Sequence, residues 1–300
     1  MVYYVHISLK EGRISMATKT AIKSTKHSTT TKYKANDIAE KVNRKMPTSL
    51  RKVHKAVKDM PIIGALASEF LGAFILTAVF VETQGNPLYI AFALIGIVLF
   101  TGSLTGANPA MTVGAFATKK VTWMRALGYI IVQLLGASIA YLILNTFLHA
   151  ANSGASTAAG VAAPSLLHAA EIIKGKEWYL FFVELLGATI LALGIATAMN
   201  SKRQKVVASF AAGFGLLAAL AIALTLCSPL AQMLTEQNVI QTFLNPAIAF
   251  AAGGLSWSIW PLSIYVLAPV LGGIIGFLIH EFLKINNNLD CDCDKDSCNC

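Results

Sequence analysis

"GANPAMTVGAFA" runs from Gly106 to Ala117, and "LNPAIAFAAGG" runs from Leu244 to Gly254. The same Asn-Pro-Ala triplet thus occurs twice, each time ahead of a short run of small and apolar residues. Asn suits a helix N-cap, and Pro suits the first helical position, where its missing N–H costs nothing. A helix is therefore expected to start at each triplet. A helix over residues 108–118 would rise only ~15 Å, about half the thickness of a bilayer's hydrocarbon. Asn-Pro is also an ordinary turn dipeptide. A single occurrence would read as a turn; two copies need the rest of the chain to explain them.

The chain around them is built for lipid. Of its 300 residues 55% are hydrophobic and only 13% charged, and the mean hydropathy is +0.62. The apolar residues fall in long runs, which marks an integral membrane protein. Six stretches, near 61–82, 87–105, 123–148, 178–200, 205–228 and 258–283, are long enough to span hydrocarbon, which takes roughly 20 apolar residues per helix. Both triplets lie outside all six.

Lys and Arg set the orientation. With both termini in the cytoplasm, every one of the 24 except Lys174 and Lys176 falls on the inner side, as the positive-inside rule expects. Most of the net charge of +9 belongs to residues 1–60, where "KTAIKSTKHSTTTKYK" offers no apolar run for a core. That segment reads as a disordered cytoplasmic tail that solubilises and orients, with attraction to anionic lipid as a second role. No base-stacking motif accompanies the charge, so nucleic acid is not expected as a partner.

The chain repeats itself. "EFLGAFILT" from Glu69 matches "ELLGATILA" from Glu184, and "YIIVQLLGA" from Tyr129 matches "YVLAPVLGG" from Tyr265. The halves, about 61–148 and 178–283, each hold three spans and one triplet. Because three is odd, the second half enters the membrane from the opposite side, which makes the repeat inverted. Two half-helices then approach the midplane N-terminus to N-terminus. Such backbone is tolerable only where protein or a water-filled cavity satisfies it. The facing positive helix ends and the amides of Asn108 and Asn245 disfavour cations and suit a neutral hydroxylic molecule.

On these residues the chain resembles the aquaporin family, the major intrinsic proteins. The resemblance rests on Asn108-Pro109-Ala110 and Asn245-Pro246-Ala247, the paired glutamates Glu69 and Glu184, and the Tyr129/Gln133 and Tyr265/Pro269 marks, over about 61–283. It implies an all-α membrane protein of six transmembrane helices and two re-entrant half-helices, usually a homotetramer with one pore per subunit. It further implies that Glu69 and Glu184 brace the re-entrant loops. Read without the family, both could be snorkelling residues, although an acidic side chain inside a span is expensive and usually has a partner. Gly72, Gly136, Gly187 and Gly272 fit close helix packing.

The chain departs from the family at its outer constriction. The position after the second triplet, Arg in most members, is Ile248, and the His usually two residues before the first Asn is Gly106. No Lys, Arg or His occurs from Val206 to Trp257 to stand in. Alignment of the glycines in the fifth span places another filter position at Leu220 or Ile222, and extrapolation from Asn108 places one at Leu88. The filter is thus expected to be aliphatic.

The rest of the chain carries little chemistry. "CDCDKDSCNC" places Cys291, Cys293, Cys298 and Cys300 in a short tail over 284–300. Thiolates so spaced could bind Zn²⁺ or Cu(I), but a disordered tail or a palmitoylation site explains them as well. Cys227 reads as a packing residue, and His149 and His168 as surface histidines. There is no hydrolase triad, P-loop or dinucleotide fingerprint. An enzyme is not expected, and no cofactor is implied. The expected function is a passive channel for water or small uncharged solutes, glycerol-like in size. The rival is a poorly conducting protein of the same fold with a scaffolding or adhesion role. An ion-coupled transporter would need coupling groups beyond the two glutamates.

Overall fold

The computed structural model describes residues 61–103, 105–152, 166–200, 204–234 and 239–289. The basic segment 1–60 and the cysteine-bearing end from 290 lie outside the described residues, as do the readings made of them. In chain order the elements are α1 (Pro61–Glu82), α2 (Pro87–Thr101), α3 (Pro109–Ala117), α4 (Trp123–Asn152), β1 (His168–Ala169), α5 (Glu177–Asn200), α6 (Lys205–Ala231), β2 (Val239–Ile240), α7 (Pro246–Ala251) and α8 (Ile259–Leu262). A π turn over Ser263–Leu267 then leads into α9 (Ala268–Leu289).

Five helices among the described residues are long and apolar enough to cross a membrane, the last being the continuous run Ile259–Lys284. The sixth expected span, α2, is shorter than the sequence suggested. It has 15 residues and rises ~22 Å, less than the ~30 Å of hydrocarbon. Its ends explain the length. Asn86 caps it by accepting the Leu88 N–H at 3.1 Å, Pro87 opens it, and Gly102 closes it at φ +73°, a left-handed C-cap. The π turn has an equally local origin. Pro269 cannot donate to the Tyr265 carbonyl four residues back, and a wider turn absorbs the lost bond.

The fold is all-α apart from a feature the sequence did not announce, a two-residue parallel pairing of His168 with Val239 and Ala169 with Ile240. His168 lies in this strand and is half-buried, its Nδ1 3.2 Å from the Leu166 carbonyl. Cys227 is buried, as its packing role requires.

The inverted repeat is visible in contacts that match pair by pair. A Cβ on Gly136 of α4 would collide with the Phe70 carbonyl of α1, and one on Gly272 of α9 with the Leu185 carbonyl of α5. Phe70 and Leu185 each follow the glutamate of their own half. The half-helices pack crosswise: α3 lies against α9, and α7 lies against α4. A Cβ on Gly114 of α3 would stand 2.7 Å from the Gly273 carbonyl, so the re-entrant helix approaches α9 more closely than any larger residue permits.

These glycines make a stability prediction. Gly136→Ala and Gly272→Ala each force two helix backbones apart and should lower the thermal unfolding midpoint in detergent by similar amounts, at a cost of about 1–3 kcal/mol. Gly64→Ala meets nothing within 4 Å and should leave the midpoint unchanged or raise it, because Ala is the better helix former by ~1 kcal/mol. Equal responses at all three positions would contradict this packing.

Candidate functional site: the meeting point of the two half-helices

Each triplet builds its helix start in the same way. Asn108 and Asn245 are extended N-caps whose Oδ1 atoms accept the N–H of Ala110 at 2.9 Å and of Ala247 at 3.0 Å. The residue ahead of each Asn, Ala107 or Leu244, has φ +54°. That left-handed turn aims its carbonyl at the opposite half. Asn108 Nδ2 donates to the Leu244 carbonyl at 2.8 Å, and Asn245 Nδ2 donates to the Ala107 carbonyl at 3.2 Å. Each carboxamide has two N–H groups, and the second has no partner among the described residues.

The glutamates hold the loops that present these turns. Glu184 accepts the backbone N–H groups of Phe243 at 2.6 Å and Leu244 at 2.9 Å. Glu69 accepts the Thr105 N–H at 3.1 Å, the Thr105 hydroxyl at 2.9 Å and Gln133 Nε2 at 2.8 Å. Thr112, on α3, closes the second network through Thr105 and Gln133. All these side chains are buried.

Asn108 and Asn245 line one narrow cavity, together with Ile248, Leu220, Ile90 and Leu94 among others. It admits the centre of a water-sized sphere over only about 10 Å³, close to the ~10–15 Å³ that one water needs. Apart from the two carboxamides its side chains are apolar. The absence of a cation at 248 leaves it so.

Two residues expected at this constriction lie elsewhere. Leu88 is 50% exposed and Ile222 is 40% exposed, and neither lines the cavity. Leu88 sits in the first turn of α2, whose inward face is Ile90, Ala91, Leu94 and Ile97. Counting back from Asn108 therefore reached the right helix but the wrong face. Ile222 follows Leu220 by two residues, ~200° around α6, so only one of the pair can face inward, and it is Leu220. Phe80 and Phe243 also line the cavity and were not expected there, since each looks like an ordinary apolar residue of its segment. Among the described residues no cluster of His, Cys, Asp or Glu could hold a metal ion, and Cys291, Cys293, Cys298 and Cys300 lie beyond them.

The family model for the major intrinsic proteins matches residues 77–280, which take in both triplets. The chain belongs to the major intrinsic protein family. This family consists of membrane channels, not enzymes. This major intrinsic protein is 30% identical over 207 residues to the aquaporin AqpM of Methanothermobacter marburgensis, covering 65% of this chain and 75% of that one. It is 30% identical over 224 residues to the glycerol uptake facilitator protein-like 6 of Lactiplantibacillus plantarum, covering 69% and 92%. The X-ray structure of the aquaglyceroporin from Plasmodium falciparum superposes with a TM-score of 0.55 at 18% identity, over 76% of this chain and 99% of that chain. That likeness is one of fold.

The glutamates should not be equally replaceable. In Glu184→Gln the new NH₂ must face a backbone N–H that cannot reverse, which orphans a buried donor at a cost of about 1–3 kcal/mol. In Glu69→Gln the NH₂ can take the place of Oε2, whose partners among the described residues are the Thr105 hydroxyl and the Gln133 carboxamide, both of which can turn to accept. Thermal unfolding should therefore show a larger loss for Glu184→Gln than for Glu69→Gln; the reverse order would refute this account of the loops.

Proposed function

We propose that this protein is a passive channel for water or small uncharged solutes of about glycerol's size, and that the path runs between the two Asn-Pro-Ala triplets. The observation that carries the reading is the pair of spare amide N–H groups. Asn108 and Asn245 each spend one N–H on the opposite loop and keep one for an oxygen passing between the half-helix N-termini. The AqpM and glycerol-facilitator relatives supply the two solute classes by name. Ile248 with Leu220 forms the aliphatic part of the filter, and Glu69 and Glu184 brace the loops without touching solute. The exposed Leu127, Ile131, Leu135 and Leu142 of α4 face lipid or a neighbouring subunit of a homotetramer. Both termini lie in the cytoplasm.

One observation favours a second reading. A cavity with room for about one water suits a poorly conducting protein of this fold that serves as a scaffold or in adhesion.

Stopped-flow swelling of proteoliposomes decides between them. Water or glycerol flux well above that of protein-free vesicles supports the channel, and flux at background favours the scaffold. Within the channel reading, Ile248→Arg puts a larger side chain in the path and should cut glycerol permeability by about tenfold, ~1.4 kcal/mol of added barrier, and water permeability by less. Glycerol flux raised by the substitution would remove Ile248 from the filter.

A further inference from the structure

The cavity at the triplets has a neighbour of about 140 Å³, and three elements pass from one to the other in the same sense. Phe80 of α1 lines the narrow cavity, and Gln84, in the turn just past the end of α1, lines the larger one. On α6, Leu220 lines the first and Leu224 the second. On the loop before α7, Phe243 lines the first and Gln241 the second. Four residues of helix advance ~6 Å. The two spaces are therefore bordered by the same three stretches of chain and are about one helical turn apart along α6.

Two aromatic rings line the narrow cavity on two of these stretches, and neither borders the larger space. Phe243 stacks on Phe80 with centroids 5.8 Å apart and planes at 26°, and among the described residues these are the only aromatic side chains that line the narrow cavity. Tyr265 meets Phe243 edge-on at 5.3 Å and 80° without lining the cavity itself, so it braces the ring from behind. All three are 2% exposed or less. The backbone under Phe243 is pinned as well, because its N–H is donated to Glu184 at 2.6 Å.

From this stacking of spaces we infer that Phe243, paired with Phe80, is the constriction that sets both the throughput and the size limit of the channel, with the 140 Å³ space as an antechamber. The inference rests on the channel reading above. The pair offers no hydrogen-bonding group, so a solute entering from the antechamber must shed its partners before it reaches Asn108 and Asn245. Apolar constrictions of this kind oppose flow by dewetting. Removing one ring frees the volume of roughly three waters at ~30 Å³ each. Gln241, whose carboxamide has no hydrogen-bond partner among the described residues, lies on the antechamber side.

The test is permeability of the full chain in proteoliposomes to water, glycerol and the larger polyol erythritol, for the parent, Phe243→Ala, Phe80→Ala, Phe243→Leu and Phe277→Ala. Phe277 is fully buried, packs beside Gly114, and lines neither space, so it controls for loosened packing. Phe243→Ala and Phe80→Ala should each raise water permeability about tenfold, ~1.4 kcal/mol off the barrier, and admit erythritol. Phe243→Leu should lie between them and the parent, and Phe277→Ala should match the parent. If Phe243→Ala does not fold, Phe80→Ala and Phe243→Leu decide. A conducting parent whose folded Phe243 and Phe80 variants keep its flux and size limit overturns the inference and leaves the channel reading intact. So does a Phe277→Ala flux as high as theirs. A silent parent with a conducting Phe243→Ala upholds the inference, and silence in every variant overturns both readings.

Discussion

Two reciprocal hydrogen bonds, from Asn108 to the Leu244 carbonyl and from Asn245 to the Ala107 carbonyl, hold together a junction that electrostatics alone would push apart. Each half-helix presents its positive end, worth up to about half an elementary charge, and the two ends face each other. The cross-bonds place a carbonyl dipole opposite each end. To do so the chain must turn left-handed at Ala107 and Leu244, both at φ +54°, at roughly 1–2 kcal/mol for a residue with a side chain. The triplet sequence follows from these demands. Asn is long enough to cap with its oxygen while its nitrogen reaches across, and Pro starts the helix without a wasted donor.

The strained turns persist because the residues before them are held, and the two halves hold them differently. In the second half Glu184 takes two backbone N–H groups directly. In the first, among the described residues, Glu69 accepts the Thr105 N–H and also works through the Thr105 hydroxyl, Gln133 and Thr112. The third spans diverge to match. Where α4 places Gln133 inside that network, the last span places Pro269 after a π turn. One half spends its third span on a polar brace and the other on a bend. The bend begins at the turn containing Tyr265, the residue that backs Phe243.

How much of this could be read in the sequence depended on whether a feature repeats. The triplets, the glutamates and the packing glycines occur in pairs, and a pair fixes position by symmetry, so the inverted architecture and the loops' anchors were legible. The constriction has no such partner. Extrapolation from Asn108 points to Leu88 and alignment of the fifth span's glycines to Leu220 or Ile222; both identify a helix but not the face it turns inward, and a shift of two residues moves a side chain to the opposite side. Phe243 gave no signal, because its role depends on Phe80, more than 160 residues earlier in the chain. The β1–β2 pair is two residues long in each strand, too short for alternation to show.

The aliphatic filter also changes how the proposed channel excludes ions. A fixed cation after the second triplet would repel positive charge, and Ile248 cannot. Yet an ion of either sign entering this cavity must leave its water behind, and in a low-dielectric medium that costs tens of kcal/mol before relaxation. Two amide N–H groups cannot repay it. A neutral molecule loses about 1–3 kcal/mol for each polar group left unpaired, and the spare donors of Asn108 and Asn245 recover one oxygen at a time. Discrimination then depends on how many hydrogen bonds a solute must give up at once, not on its charge. A passage so poor in polar groups needs no arginine to stop ions; the arginine's absence bears instead on which neutral molecules pass.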